Sequence, residues 1–544
     1  MLYGNTLENK NRIIAKNYIY IVPCYTETKE ELTKTLNSLV IQREVKRDIR
    51  AIMCICDGTS VNKNNICDKI LKDLIILDNT KGQLFTYTTW DQKENILQVY
   101  KGFYSYLDET LPVILLIKME NYGKRDSLVL ARQFCYKYTQ SLLSSIYTDI
   151  DSDIEAGIDP LTKEMLANLD AIYAGEELHY IIGIDADTVF EYNCSYELIQ
   201  GIEEDSRGEI HGCVGYVDIA PESNFYSPFI LYQYAEYMFA QCLRRYAQSR
   251  ITQKVNCLSG CVQILRISKE TCGEEILARF NYLPAAEESI FNHIRSYASE
   301  DRNHVCHVLS MYPHVKTTQN LKAVAYTSVP TNWWVFLSQR RRWSLGANAN
   351  DMLLIILPGI LFVERVSAFI NVCTYTFSPF IFIATILFIK TIILEASLLM
   401  LYLSFVILLP LFYGLFIVPV FIKPVSFQTT LYYYLSYMFF YITSSLINLF
   451  IYLYSIFCMD VIKWGKTRQV KMVLDGVTEG ETSVENDYVY DDYIYDEIVH
   501  APVPVQEQVQ EQVQEQVQAE QVQAEQVQAE QVQAEQVPEP INIE

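Results

Sequence analysis

Residues 367–389, 396–422 and 429–459 carry no charged side chain, whereas the first 340 residues hold no uncharged apolar run of 18. A bilayer core of roughly 30 Å asks for about 20 helical residues, and each run exceeds that. A buried core helix would explain one such run, but not three in succession. The chain is therefore expected to be a multi-pass membrane protein. Arg340, Arg341, Arg342 and Arg365 precede the first run, and Lys463, Lys466, Arg468 and Lys471 follow the last. Both clusters favour the cytoplasmic side, which demands an even number of crossings. Four membrane helices satisfy it, if residues 392–422 fold back at Pro410 and Pro419 or if residues 352–363 contribute one.

This divides the chain into a cytosolic part (1–343), an interfacial amphipathic segment (344–366), membrane helices (367–459), a cytosolic loop (460–472) and a tail (473–544). Of the net charge of −22, the tail supplies 18 acids and no Lys or Arg. The remaining 472 residues hold 43 basic and 47 acidic side chains, so no basic surplus marks a nucleic-acid partner. In the tail, Val recurs every four residues from Val505 and every five from Val522, among Glu and Gln. Neither step matches a helical period, so the segment is expected to be a disordered cytoplasmic tail. The polar stretch Met1–Lys16 lacks a signal-peptide core. Fourteen scattered cysteines without a CxxC point to reduced thiols. His304-Val-Cys-His307 has no second ligand pair at zinc-finger spacing.

Within the soluble part, Tyr18–Val22, Ala51–Cys56, Leu111–Ile117 and Tyr180–Ile184 read as buried strands, and Glu27–Val40 as a helix. Strands alternating with helices imply an α/β domain with a mostly parallel sheet, whose ligand site forms at the carboxyl ends of the strands. Two of the strands end in acids, Asp57 and Asp185-Ala-Asp187. Asp185 and Asp187, leaving one strand, can reach a single magnesium or manganese ion holding the diphosphate of a sugar nucleotide. Taken alone, the pair is as well explained by a solvated turn. Glu300-Asp301-Arg302 offers a carboxylate for general-base work beside an acid and an arginine, or simply a surface charge cluster. Gln339-Arg-Arg-Arg-Trp343 combines donors with a flat apolar face, suited to phosphate oxygens and a sugar ring, yet its arginines also fit topology anchoring.

Taken in order, the motifs resemble those of the chitin synthases, processive inverting family-2 glycosyltransferases, and most nearly the fungal class IV type. They are Val22-Pro-Cys-Tyr-Thr-Glu27, Ile55-Cys-Asp-Gly58, Gly123-Lys-Arg-Asp-Ser127, Asp185-Ala-Asp187, Cys257-Leu-Ser-Gly-Cys-Val262, Glu300-Asp-Arg302, Gln339–Trp343 and Trp464-Gly-Lys-Thr-Arg468. The resemblance runs from about Tyr18 to Val470. It implies a GT-A-like domain followed by a helical transmembrane bundle, and a plasma-membrane enzyme whose catalytic domain and tail face the cytoplasm. Its partners would be UDP-GlcNAc, the nascent chitin chain and the lipid bilayer, with a homo-oligomer left open.

By position, the resemblance assigns Glu27 and Asp57 to the uridine end, Lys124 and Arg125 to the diphosphate, and Asp185 and Asp187 to the metal. Asp301 would be the base, flanked by Glu300 and Arg302. Gln339, Arg342 and Trp343 would hold UDP and the acceptor sugar, Gly260 and Cys261 would floor the acceptor site, and Trp464 would lie near its mouth. Two turns depart from the pattern, with Ser259 where Pro is expected and Ser299 where Gly is expected. A hyaluronan- or cellulose-type synthase is the nearest rival. The others are an inactive membrane scaffold acting through its tail and a channel, although no charge lies inside the clear spans.

Overall fold

The computed structural model describes residues 15–45, 47–59, 66–147, 158–220, 227–394, 402 and 408–459. Trp464, the loop after the last apolar run and the tail lie outside them. One sheet organises the part before the apolar runs. Its strands are β1 (Tyr18–Cys24), β2 (Arg50–Asp57), β3 (Ile76–Leu77), β4 (Gln83–Thr88), β5 (Glu94–Tyr106), β6 (Glu109–Lys118), β7 (Tyr180–Gly183), β8 (Thr188–Phe190), β9 (Ile210–Ile219), β10 (Gln263–Arg266) and β11 (Lys316–Thr327). They run in the order β3-β5-β6-β2-β1-β7-β10-β9-β11-β8, with β4 paired to β5 outside that path.

The four strands expected from the sequence, β6, β2, β1 and β7, are adjacent and parallel. Alternation along each sends side chains to two cores. Tyr18, Tyr20, Val22 and Cys24 pack with Leu32, Leu36 and Leu39 on one face. Ile19 and Ile21 pack with Phe134, Tyr138 and Met165 on the other.

The expectation of a mostly parallel sheet is corrected. Among the described residues the pairings β5–β6, β4–β5, β3–β5, β7–β10, β9–β10 and β8–β11 are antiparallel. The cause is local at one edge, where β5 returns directly into β6 through the two residues Leu107 and Asp108. Inside the sheet β10 inserts antiparallel between β7 and β9, and at the other edge β8 pairs antiparallel with β11. The sheet is mixed, with a parallel centre.

The apolar runs follow a different division from the one their lengths suggest. Helix Phe427–Phe457 is long and apolar enough to cross a membrane. The first run is split into Phe362–Thr376 and Ser378–Leu394, bent by 73°. Pro379 explains the break, since it lacks an N–H and its ring would clash with the carbonyl of residue 375 in a continuous helix. Of the middle run, 408–422 is helical with wide π turns around Pro419. By length and composition the described residues thus hold one membrane-length helix, or two if the bent pair is one span.

Helix Phe427–Phe457 is fastened to the sheet domain by aromatic contacts. Tyr232 meets Phe440 at 5.1 Å and Phe239 meets Tyr437 at 5.3 Å, both from helix Pro228–Ala240. Trp333 meets Phe450 at 5.9 Å from helix Trp333–Ile356. That last helix carries Gln339–Trp343 and continues without a break through residues 344–356.

Candidate active site

The carboxyl ends of the parallel strands gather the acids. After β1, Thr28 caps helix Lys29–Val40 through a capping box with Glu31. The helix therefore starts two residues later than expected and leaves Glu27 in the turn, where its Oε2 accepts the Tyr25 N–H at 2.6 Å. Burial, with Cys67 and Asp187 nearby, pushes the Glu27 carboxyl up to about 7. Asp57 ends β2 in register with Lys118 at the end of β6. Lys118 Nζ sits 2.6 Å from Asp57 Oδ1 and 3.0 Å from Asp126 Oδ2, and all three side chains are buried. Tyr122 N–H also donates to Asp57 Oδ1, at 3.1 Å. Burial raises the Asp57 carboxyl, and Lys118 opposes that rise.

Asp185 leaves β7, and its Oδ1 accepts from Lys124 Nζ at 2.6 Å. The same ammonium lies 3.9 Å from both Glu300 Oε1 and Asp301 Oδ2, so one cation links three carboxylates drawn from distant parts of the chain. Asp301 stands in the first turn of helix Glu300–Met311, where the helix dipole favours its charge. Its Oδ2 accepts the Gly260 N–H at 2.8 Å. Glycine at 260 leaves these side chains room, since a Cβ there would sit 2.6 Å from Asp301 Oδ2 and 2.7 Å from Lys124 Nζ and would displace one or both. Burial lifts the Asp301 carboxyl to about 6, Lys124 and the Gly260 N–H pull it down, and Glu300 and Asp185 push it up. The Cys261 thiol is held in its neutral form by burial and by the negative field of Asp185, Asp301 and Asp187.

The three arginines before Trp343 have separate duties. Arg340 is buried against Glu236 at 2.6 Å and lies 4.3 Å from the centre of the Trp343 ring; it also donates to Gln339 Oε1. Arg341 donates to the Cys458 carbonyl at 3.1 Å, closing the C-terminal end of the long apolar helix. Arg342 lies within the field of Glu300 and Asp185, and burial makes its proton easier to lose. Trp343 remains substantially exposed, with Tyr237 packed 6.1 Å from it. Tyr237 in turn feels the charge of Asp187, and its hydroxyl is held neutral mainly by burial.

Two expected site residues point elsewhere. Arg125 is buried with Nη2 on the Arg295 carbonyl at 2.8 Å, Nη1 on the Phe280 carbonyl, and its guanidinium 4.6 Å from the Phe280 ring. Lys124 and Arg125 are consecutive on a helix, about 100° apart, so only one can face the carboxylates. Arg302 likewise turns from them, to Asp351 Oδ1 at 3.7 Å and the Ala347 carbonyl at 3.5 Å, tying its helix to Trp333–Ile356. Conversely, Lys118, Asp126, Glu236 and Tyr237 belong to the site's framework without having been singled out. Lys118 had a readable signal, a lysine closing an otherwise apolar strand. Glu236 and Tyr237, inside an apolar helix, had none.

Among the described residues no three His, Cys, Asp or Glu side chains are placed to hold a metal by themselves. Magnesium bound with a diphosphate takes only one or two carboxylates, the rest being phosphate oxygens and water. With Oδ1 of Asp185 given to Lys124, Oδ2 and the Asp187 carboxylate suit that lighter ligand set.

Comparison with known proteins identifies the family. Residues 5–496 match the family model described as chitin synthase. "Chitin synthase 8" of Gibberella zeae is 34% identical over 467 residues, 83% of this chain and 66% of that protein. "Chitin synthase 8" of Verticillium dahliae is 31% identical over 400 residues, 68% of this chain and 63% of that protein. The chain thus spans just under two thirds of the length of these relatives. A solved structure, S. aureus TarS, superposes over 67% of this chain and 44% of its own with a TM-score of 0.30 and 12% identity, too distant to bear on the fold. The family match covers the parallel strands, the acid cluster and the apolar helices together, and the chain belongs to the chitin synthase family.

Proposed function

We propose that this chain is a chitin synthase with a GT-A-like domain, transferring GlcNAc from UDP-GlcNAc to the 4-hydroxyl of a growing β-1,4-linked chain with inversion at the anomeric carbon. The carrying observation is the Asp301 carboxylate, fixed by the Gly260 N–H within 3.9 Å of the Lys124 ammonium that also holds Asp185. A base poised near neutral pH, tethered by one oxygen, suits removal of a hydroxyl proton.

In the reaction the acceptor oxygen bonds to the anomeric carbon on the face opposite UDP, the bond to the UDP oxygen breaks, and the hydroxyl proton passes to Asp301. Lys124 and Arg342 supply positive charge where the diphosphate departs. Asp185 and Asp187 would hold a divalent cation, which would supply further charge neutralisation for the diphosphate. Trp343 offers a ring face to the acceptor sugar, and Glu27 and Asp57 serve the uridine end. The polar product cannot dissolve in lipid, so apolar helices joined directly to the acceptor side support a multi-pass plasma-membrane protein that exports its product, with the catalytic domain cytoplasmic. The test is incorporation of labelled UDP-GlcNAc by the purified chain with magnesium or manganese. Polymer destroyed by chitinase supports the reading, and chitinase-resistant polymer or none refutes it.

A further inference from the structure

We infer that Glu236, which lies in none of the sequence motifs, is a positioning residue that sets the plane of Trp343 through Arg340 and so governs how the acceptor sugar is held. The inference rests on the proposed role of Trp343 as the stacking face for that sugar.

Phe336, Arg340 and Trp343 stand at i, i+4 and i+7 on helix Trp333–Ile356, along one stripe of its surface. The Arg340 guanidinium is sandwiched between the two rings, 4.7 Å from the centre of Phe336 and 4.3 Å from that of Trp343. A guanidinium this deeply buried is stable only with its charge and donors answered. Glu236 answers both. Its Oε2 accepts from Nη2 at 2.6 Å and from Nε at 3.1 Å, while Gln233 Oε1 takes Nη2 at 3.2 Å. Two contacts from one carboxylate to one planar fork fix the guanidinium's orientation, and a cation over an indole fixes the indole.

Glu236 can hold this position because its own helix is clamped on both sides. Gln233 Nε2 donates to the Pro330 carbonyl at 2.8 Å. The Gln241 carboxamide accepts the Val217 N–H at 2.9 Å and donates to the Val217 carbonyl at 2.8 Å, imitating a strand against β9. Tyr237, the next residue, supports Trp343 from a second side. The exposed indole is thus backed by a rigid, charge-balanced shelf anchored in the sheet, while Lys124, Asp185 and Asp301 have no contact with that shelf among those described.

The experiment uses the full chain in lipid nanodiscs, with N-acetylchitotetraose and UDP as separate probes of binding. E236Q is expected to weaken chitotetraose by roughly tenfold or more and to leave UDP within about twofold. In a Trp343→Ala background, E236Q should weaken the tetrasaccharide by less than about twofold, because residues acting through one another are not additive. E236D, which keeps the charge, should recover most of the loss. Unchanged tetrasaccharide affinity in E236Q, or an equal loss with and without Trp343, overturns the inference. If E236Q fails to bind UDP, the cycle is read with Arg340→Lys in its place, which keeps the buried charge and loses the planar fork that Glu236 holds. Failure of the functional reading is seen separately, as a wild type that transfers no GlcNAc. The shelf is then read without substrate from the 5-fluorotryptophan resonance of Trp343, which E236Q should shift or broaden and which overturns the inference if it does not move.

Discussion

Asp301 Oδ2 and the backbone N–H of Gly260 are 2.8 Å apart, and through that bond the first turn of one helix is locked to the turn that precedes β10. The acid is half-buried, so it would swing or protonate more readily without a donor aimed at it. A backbone donor cannot rotate away. If Asp301 is the base, as proposed, the geometry of residue 260 matters to the reaction more than its chemistry does.

Gly260→Ala places a methyl 2.6 Å from Asp301 Oδ2 and 2.7 Å from Lys124 Nζ. The variant is expected to fold, with a melting temperature within a few degrees of wild type, and to lose on the order of 100-fold in incorporation of labelled GlcNAc. Near-normal activity would mean that the Asp301–Gly260 contact is incidental.

The proton on Asp301 sets an acid limit. Its carboxyl titrates at about 6, being ionised and able to accept a proton above that pH and protonated below it. Incorporation should therefore fall as pH drops through about 6. Lys124 pulls this pKa down, so Lys124→Met should move the acid limb to higher pH as well as reduce the maximal rate. A limb that stays in place would detach it from Asp301.

Lys118 is a test of stability. Lys118→Met leaves Asp57 and Asp126 buried without their shared cation, which should cost about 3–5 kcal/mol. Thermal melts should show the loss at pH 7 and a partial recovery on acidification, because burial already raises the Asp57 carboxyl and removing Lys118 raises it further, so that it takes up a proton. A melting temperature like wild type at pH 7 would contradict the pairing.

For the metal, EDTA is expected to stop incorporation, and magnesium or manganese to restore it. Asp187→Asn should raise the metal concentration needed for half-maximal rate by roughly tenfold, since one of two carboxylates to the ion is lost. Full activity in EDTA would remove Asp187 from that role.

The parallel centre of the sheet was legible because its strands are continuous apolar runs, two of them leading into acids, as Ala51–Asp57 shows. β5 was not, since Asn95, Gln98, Lys101 and Ser105 interrupt its apolar positions in a strand exposed on one face. Motif order reached Asp185, Gly260 and Asp301, although they lie far apart in the chain. It could not tell Lys124 from Arg125, because adjacency in a motif says nothing about which way a helix turns each side chain. Apolar run length likewise could not see the break at Phe377, which depends on one proline. Glu236 was invisible because a buried ion pair between two helices leaves no periodic trace.

The most direct test of the account is Asp301→Asn in the full chain, with UDP-GlcNAc binding and polymer formation measured on the same preparation. The side chain keeps its size and can still meet the Gly260 N–H through its carboxamide oxygen, but it can no longer accept the hydroxyl proton. Binding is predicted to stay within about twofold while chitinase-sensitive polymer falls by at least 1,000-fold, roughly the range of general-base catalysis. Polymer made at the wild-type rate would contradict the account at its centre.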